Sequence, residues 1–268
     1  MHKELTSDCG NCFGLCCVAL PYAKSADFPL NKNAGEPCRH LCSDSRCSIH
    51  SELRGNGFRG CIAYECFGAG QHVSQVLYEA KDWRTDPYIA SEMFLVFPLV
   101  QQLHEMLAYL KQSIHVNERK SLASELKKMY NETIALTELT PENILKIDLT
   151  SHRAKVNVLL VETSSTYRDG YETKKNQKKQ VDYSGANLRG RDLKGKDFRG
   201  ALFIAADLKM SDLRRVDCIG ADFRDADLSG ANLKEALFLT QSQLNSAKGD
   251  LSTSIPPDFT IPKHWLIS

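Results

Sequence analysis

From Val181 to Thr240 the sequence repeats every five residues: VDYSG, ANLRG, RDLKG, KDFRG, ALFIA, ADLKM, SDLRR, VDCIG, ADFRD, ADLSG, ANLKE, ALFLT. A five-residue unit is too short to bury its own apolar side chain, so units of this kind gain a core only by stacking on one another. Most units carry Asp or Asn second, a large apolar residue third and a basic residue fourth. The order is a solenoid that needs covered ends.

Strings such as Ala186-Asn187-Leu188-Arg189-Gly190 and Ala226-Asp227-Leu228-Ser229-Gly230 resemble the pentapeptide-repeat family across all sixty residues. The resemblance implies four units per coil, and hence a right-handed quadrilateral β-helix of three coils. In that frame the large central residue and the small residue two before it point inward. Residues twenty apart then stack: Tyr183, Phe203 and Phe223; Leu188, Leu208 and Leu228; Leu193, Leu213 and Leu233; Phe198, Cys218 and Phe238. Cys218 is smaller than its column partners, and Val216 in the same unit restores part of the volume. Arg191 and Lys196 occupy positions meant for small residues, so the first coil is expected to be irregular, with both side chains leaving at the open end. Residues 241–248 and the tail 256–267, with Phe259 and Trp265, are expected to form a C-terminal helical cap.

Nine of the ten cysteines fall in the first 66 residues: Cys9, Cys12, Cys16, Cys17, Cys38, Cys42, Cys47, Cys61 and Cys66. Between them lie glycines and prolines without a sustained period, and a segment of that kind needs a staple. Thiolates from several chain segments can close around one ion and fix such a fold. The strings CGNCFGLCC and PCRHLCSDSRCSIH resemble the YkgJ-type zinc- or iron-chelating domain over residues 9–66. Sulfur ligands and the resemblance alike admit zinc or an iron–sulfur cluster. Zinc is expected because the segment needs a structural staple and no catalytic motif demands redox chemistry, with an iron–sulfur cluster as the alternative. His40, His50 and His72 could substitute as ligands, although a nearby histidine more often supports a site than ligates. Gly55-Asn56-Gly57-Phe58-Arg59-Gly60 spells the dinucleotide fingerprint, but it lies between Cys47 and Cys61 rather than between a strand and a helix. These glycines are read as turns around the metal loop.

Met93, Val96, Val100, Leu103, Leu107, Leu110 and Ile114 recur at helical spacing from about Pro87, with Pro98 expected to kink that helix or mark its start. A second helix carries Leu122, Leu126, Met129 and Leu136, and a third is expected from Thr140-Pro141-Glu142. The expected organisation is a cysteine-rich segment over 1–70 packed with a helical bundle over 71–165, a linker over 166–180 and the repeats with their cap over 181–268.

A net charge of +1 gives no global pull toward nucleic acid. The N-terminus lacks the apolar core of a signal peptide, and no uncharged apolar run approaches a membrane span, so the expected location is the cytoplasm. No catalytic motif is present. The expected function is a metal-binding scaffold for a protein partner, with an iron–sulfur enzyme or redox sensor as the alternative. Some quinolone-resistance members of the pentapeptide family mimic DNA and protect gyrase, but three coils measure only about 15 Å, and 181–240 carries ten basic and ten acidic residues. Outward apolar residues gather along one edge, Leu202 and Ile204 on one face and Ile219, Leu237 and Leu239 on the adjoining one, and this edge is expected to dock on the chain's own helical bundle or, by self-association, on a second subunit.

Overall fold

The computed structural model of the protein describes residues 5–171 and 181–266. It divides into two compact units, Met1–Leu160 and Val161–Ser268.

In the first unit the cysteine-rich segment is mostly turns, with short helices α1 (Leu15–Ala19), α2 (Arg59–Ile62) and α3 (Ala69–Gln71). The long helices α4 (Pro87–Val116) and α5 (Lys120–Thr137) follow, then the single turn α6 (Pro141–Ile144) and the long α7 (Leu149–Tyr167), whose last residues belong to the second unit. Helix α4 starts at Pro87, where the Asp86 carboxylate accepts the Tyr88 N–H, and it continues through Pro98. Pro98 therefore does not mark its start. Its apolar stripe is buried as the spacing requires, and Met93, Val96, Phe97 and Val100 meet Leu15 and Val18 of α1, Ala69 of α3 and Ile144 of α6. By length and composition α4 could span a bilayer, contrary to the expectation that no segment could, yet 56% of that apolar window is buried inside the structure. It is the central core helix. The third expected helix is broken in two, because α6 ends within one turn and α7 restarts after Asp148, whose carboxylate accepts the Ser151 N–H.

The second unit corrects the expected fold class. Among the described residues there is no β-strand and no sheet, and regular structure is helical, so the right-handed quadrilateral β-helix of three coils is not what forms. The repeats are instead joined by isolated parallel bridges, Asp182 with Leu202, Asn187 with Asp207 and so on to Asp217 with Leu237. The physical reason lies in the unit. Most of its five residues form a tight turn, as where the Ala186 N–H reaches Tyr183 O and the Ala206 N–H reaches Phe203 O. One bridging residue per unit cannot extend into a ladder.

Three features of each unit explain its sequence. The Asp or Asn side chain folds back onto the N–H two residues on, as Asp192 does to Lys194 and Asn232 to Lys234. The residue closing the turn has positive φ, which glycine meets at Gly185, Gly190 and Gly220 and which Ala205, Met210 and Arg215 must also adopt. The large residues fill the centre, with Tyr183, Phe203 and Phe223 stacked at centroid distances of 4.9 and 5.1 Å and nearly parallel. The bridges begin at Asp182, so the first tier is regular, contrary to expectation. Arg191 is exposed there. Cys218 and Val216 are both fully buried.

Helix α8 (Gln241–Ser246), entered through a reciprocal cap between Thr240 and Gln243, interrupts the repeats, and the stack resumes after it with parallel bridges of Asp227 to Lys248 and Asn232 to Ser254. Gln243 donates to Cys218 O and Ala221 O, and the Trp265 indole donates to Ala247 O. Leu239, Leu244, Ala247 and Trp265 thereby join the repeat core.

Candidate functional site

The cysteine-rich segment gathers its thiols in two adjoining neighbourhoods that meet at Cys16 and Cys17 of α1. A short turn over Cys9–Asn11, capped by the Asp8 carboxylate, sets Cys9 and Cys12 close together. Cys66 enters from the other end of the segment. A Cβ added at Gly70 would lie 2.7 Å from Cys12 Sγ and 3.9 Å from Cys66 Sγ, so the glycine there lets both sulfurs approach the backbone. Ser7 Oγ lies 3.0 Å from Cys66 Sγ. Cys16, on α1, acts electrostatically on this group through Cys12 and Cys9.

The second neighbourhood forms around Cys17. The Cys38 N–H donates to Cys17 O at 2.9 Å, and the Leu41–Cys47 bridge folds Cys47 back beside that turn. Tyr22 stacks on Phe28 at 4.4 Å, and its hydroxyl donates to Cys38 Sγ at 3.4 Å. Phe28 lies so close to Gly60 that a Cβ there would meet the ring, which brings the Cys61 loop against the same wall. Cys61 interacts electrostatically with Cys17, Cys38 and Cys47. Cys16 Sγ and Cys17 Sγ are 3.9 Å apart where the two groups meet.

Sequence reasoning missed the polar groups around these thiols. The Lys32 ammonium is buried and donates to Val18 O, Asn33 O and Glu36 O at 3.0, 2.9 and 2.8 Å. Its charge acts on Cys38, Cys17, Glu36 and Cys16. Tyr64 buries its hydroxyl with no hydrogen-bond partner, and its nearest electrostatic neighbours are Cys16 and Cys66. Neither residue sits in a motif, so only the folded chain reveals them.

Burial pushes the Cys9 thiol up to about 11, helped by Cys12 and Cys66, and pushes Cys61 up to about 12, helped by Cys17 and Cys38. The hydrogen bond from Cys16 lowers the Cys17 pKa and raises that of Cys16. Crowded buried thiols resist ionising together, and a divalent cation removes that resistance. As the side chains stand, no three His, Cys, Asp or Glu residues among the described residues converge on one point that could hold an ion. The donors fit a soft metal in kind. They are sulfurs with hydroxyls positioned to support thiolates, and each set must draw inward to close.

The histidines stand apart. His40 accepts from Arg39 Nε and meets the edge of Phe58, and His50 opens a short turn. His72 pairs ring to ring with His104 at 5.0 Å, with Nε2 3.0 Å from Thr137 O. Gly57 turns with positive φ, and no strand precedes 55–60, so these glycines shape a loop.

On the repeats the expected docking edge divides. Leu202 is 38% exposed and Ile204 and Ile219 are half-buried, whereas Leu237 and Leu239 are each 2% exposed. The end of α7 and the turn after it lie against the repeats of their own unit. Arg168 donates to Gly195 O, the Tyr167 hydroxyl donates to Glu235 O, and Arg215 stacks on Tyr167 and Tyr171 at 5.0 and 5.1 Å while pairing with Glu235. Residues 166–171 of the expected linker are thus packed. Residues 172–180, with Lys174, Lys175, Lys178 and Lys179, lie outside the described residues.

Charges on the repeats are paired within the stack. Arg189 meets Asp207, Lys209 meets Asp227, Arg214 meets Asp212 and Arg224 meets Asp222, at 3.2, 2.8, 2.6 and 2.6 Å. Arg214 holds the Asp212 carboxyl down at about 2.

The stacked fives are those of a family. The pentapeptide-repeat model matches residues 184–217 and 211–248, and the chain belongs to the pentapeptide-repeat protein family. Along its whole length it is similar to uncharacterized protein YybG of Bacillus subtilis (strain 168), 53% identical over 268 residues, which is 99% of this chain and 96% of that one. A solved pentapeptide repeat protein from the Arabidopsis thaliana thylakoid lumen is 27% identical over 31% of this chain, which spans 58% of that protein, with a TM-score of 0.16.

Proposed function

We propose that this pentapeptide-repeat protein is a cytoplasmic binding protein whose N-terminal thiols hold zinc as a structural staple and whose repeats present a surface to a protein partner. The observation that carries the reading is the gathering of thiols from four separate stretches of the segment, around Cys9, Cys17, Cys38 and Cys61, beside a buried ammonium and two tyrosine hydroxyls. Loops with so little regular structure gain from a cross-link that adds no apolar core. The resemblance of residues 9–66 to the YkgJ-type domain supports the same reading. When bound, zinc would supply charge compensation and cross-linking. The residues that would hold it are drawn from Cys9, Cys12, Cys16, Cys17, Cys38, Cys42, Cys47, Cys61 and Cys66.

The repeats support binding over catalysis. Their interior is filled by side chains, and their surface offers Leu202 and Met210 on a rigid stack. Paired charges count against DNA mimicry, because a phosphate mimic needs an unbroken negative stripe. The test is a chelator added to full-length protein under reducing conditions, followed by limited proteolysis. Release of metal with faster cleavage within residues 9–66 and an unchanged repeat fragment is the expected result. Unchanged cleavage with no metal released would overturn the staple.

A further inference from the structure

Glycine closes most turns of the repeats at positive φ, a region that disfavours any side chain with a Cβ. The other residues that close a turn in this way are Ala205, Met210, Arg215 and Asp225. Ala205 adds only a methyl group. Arg215 stacks on Tyr167 and Tyr171 and pairs with Glu235, and Asp225 meets the cap, where its N–H donates to Ser246 O. Met210 instead leaves most of its side chain in solvent, at 70% exposure.

The bridges Asn187–Asp207–Asp227–Lys248 and Asp192–Asp212–Asn232–Ser254 set four turns one above another, over residues 187–192, 207–212, 227–232 and 248–254. They form one ridge of the stack. Met210 lies in the second turn and Gly230 in the third, where its N–H donates to the Asp250 carboxylate, and Leu251, 69% exposed, lies in the fourth. A Cβ at Gly230 would sit 3.3 Å from Met210 Cγ and 3.4 Å from Ser252 Oγ, so the glycine keeps a notch open. Two exposed apolar side chains thus flank that notch, with their backbones roughly 10 Å apart along the stack.

The same ridge is basic at its outer surface. Arg189 and Lys209 pair with Asp207 and Asp227, whose carboxylates turn back to cap the N–H groups of Lys209 and Ser229. The cation is the more exposed member of each pair, 52% against 34% and 34% against 24%. Arg191, in the first turn, is exposed as well. Exposed pairs of this kind are weak, so an incoming carboxylate can share the cation.

We propose that this ridge, with Met210 and Leu251 as its apolar contacts and Arg189, Arg191 and Lys209 as its charges, is where the repeats hold a partner protein, and that the partner offers an acidic segment with an apolar anchor. The inference rests on the reading above that the repeats bind protein, and it says which part of them does so. Methionine suits the contact because its flexible thioether adapts to the side chain it meets. Backbone strain that the fold itself does not use is a sign of function. Phosphate would meet the same cations but gain nothing from the two apolar side chains.

The experiment uses full-length protein and a fluorescein-labelled, glutamate-rich peptide with a central photo-leucine. Control peptides carry serine for the anchor or lysine for the glutamates, and a short DNA duplex is the third control. Anisotropy reads binding, and cross-linking mass spectrometry reads where the anchor lands. The glutamate peptide should bind and cross-link at Met210 or Leu251, with both control peptides at least about tenfold weaker. M210G and L251S should each weaken it about tenfold, while the unfolding midpoint of M210G stays at or above that of the parent, so the loss does not come from unfolding. No binding of the glutamate peptide would overturn the proposal, and so would preferential binding of the duplex that K209E weakens and M210G does not. Cross-links elsewhere on the repeats would overturn the ridge but leave the repeats as the binding unit, whereas cross-links confined to the first unit would overturn the reading beneath it too. Cross-links are read on the parent, so they decide even if a variant fails to fold.

Discussion

The repeat unit and the thiol segment reach order by opposite routes. In the repeats every instruction is local and recurs: the Asp or Asn that caps the turn, the residue of positive φ that closes it, and the central side chain that meets its like twenty residues on. In the thiol segment the decisive contacts join positions far apart in the chain, such as Ser7 with Cys66, Gln71 with Thr6 and Trp83 with Phe13. A period states its own tertiary contacts because each neighbour is a copy. Scattered ligands state only that something must gather them.

The comparison breaks most visibly at the aromatic column. Phe203 is fully buried between Tyr183 and Phe223, so Phe203→Ala should cost the repeat unit about 3–5 kcal/mol. Trp83 lies in the first unit and Trp265 in the second, so denaturant unfolding followed in single-tryptophan variants separates the two. A loss below about 1 kcal/mol, or an equal loss in the first unit, would dissolve the contrast.

The apolar edge gives the next effect. Leu239 belongs to the core under the C-terminal cap, so Leu239→Asp buries an unpaired charge and should cost several kcal/mol, roughly as a core truncation does. Leu202→Asp at an exposed position should stay within about 0.5 kcal/mol. Equal losses at the two sites, measured by the same unfolding curves, would mean that Leu202 is covered in solution.

Turn chemistry is worth less. Met210 holds a φ of 57° with a largely exposed side chain, and Met210→Gly should raise the midpoint by up to about 1 kcal/mol of stability. Destabilisation would show that its side chain contributes more than its backbone strain removes.

The smallest effect is electrostatic. Arg214 holds Asp212 at about 2 in the folded chain, below the unfolded value near 4. Its contribution is therefore complete above about pH 4 and is lost as pH falls through about 2. Asp212→Asn should be less stable than the parent at pH 6, with the gap closing by pH 2. A gap that persists at pH 2 would assign the loss to the turn cap, which Asp212 also supplies to the Arg214 N–H.

The stacking register, the columns and the buried Val216 with Cys218 were legible because a twenty-residue repeat superposes like on like. The β-helix was not, because sequence period shows which residues align but not whether one bridging residue per unit can extend into a strand. Leu237 and Leu239 read as outward by their place in the unit, yet the last repeat meets a cap that the period does not describe. Cysteine spacing showed where thiols concentrate. It could not show Lys32, whose ammonium finds three carbonyls only after the chain has folded, nor the contact of Cys16 with Cys17 at which the two thiol neighbourhoods meet.

The most direct test of the account is the metal content of untagged full-length protein purified without oxygen, taken together with its absorbance spectrum. The account predicts at least about one equivalent of zinc per chain and a colourless solution. Zinc and iron together below about a tenth of an equivalent would contradict it.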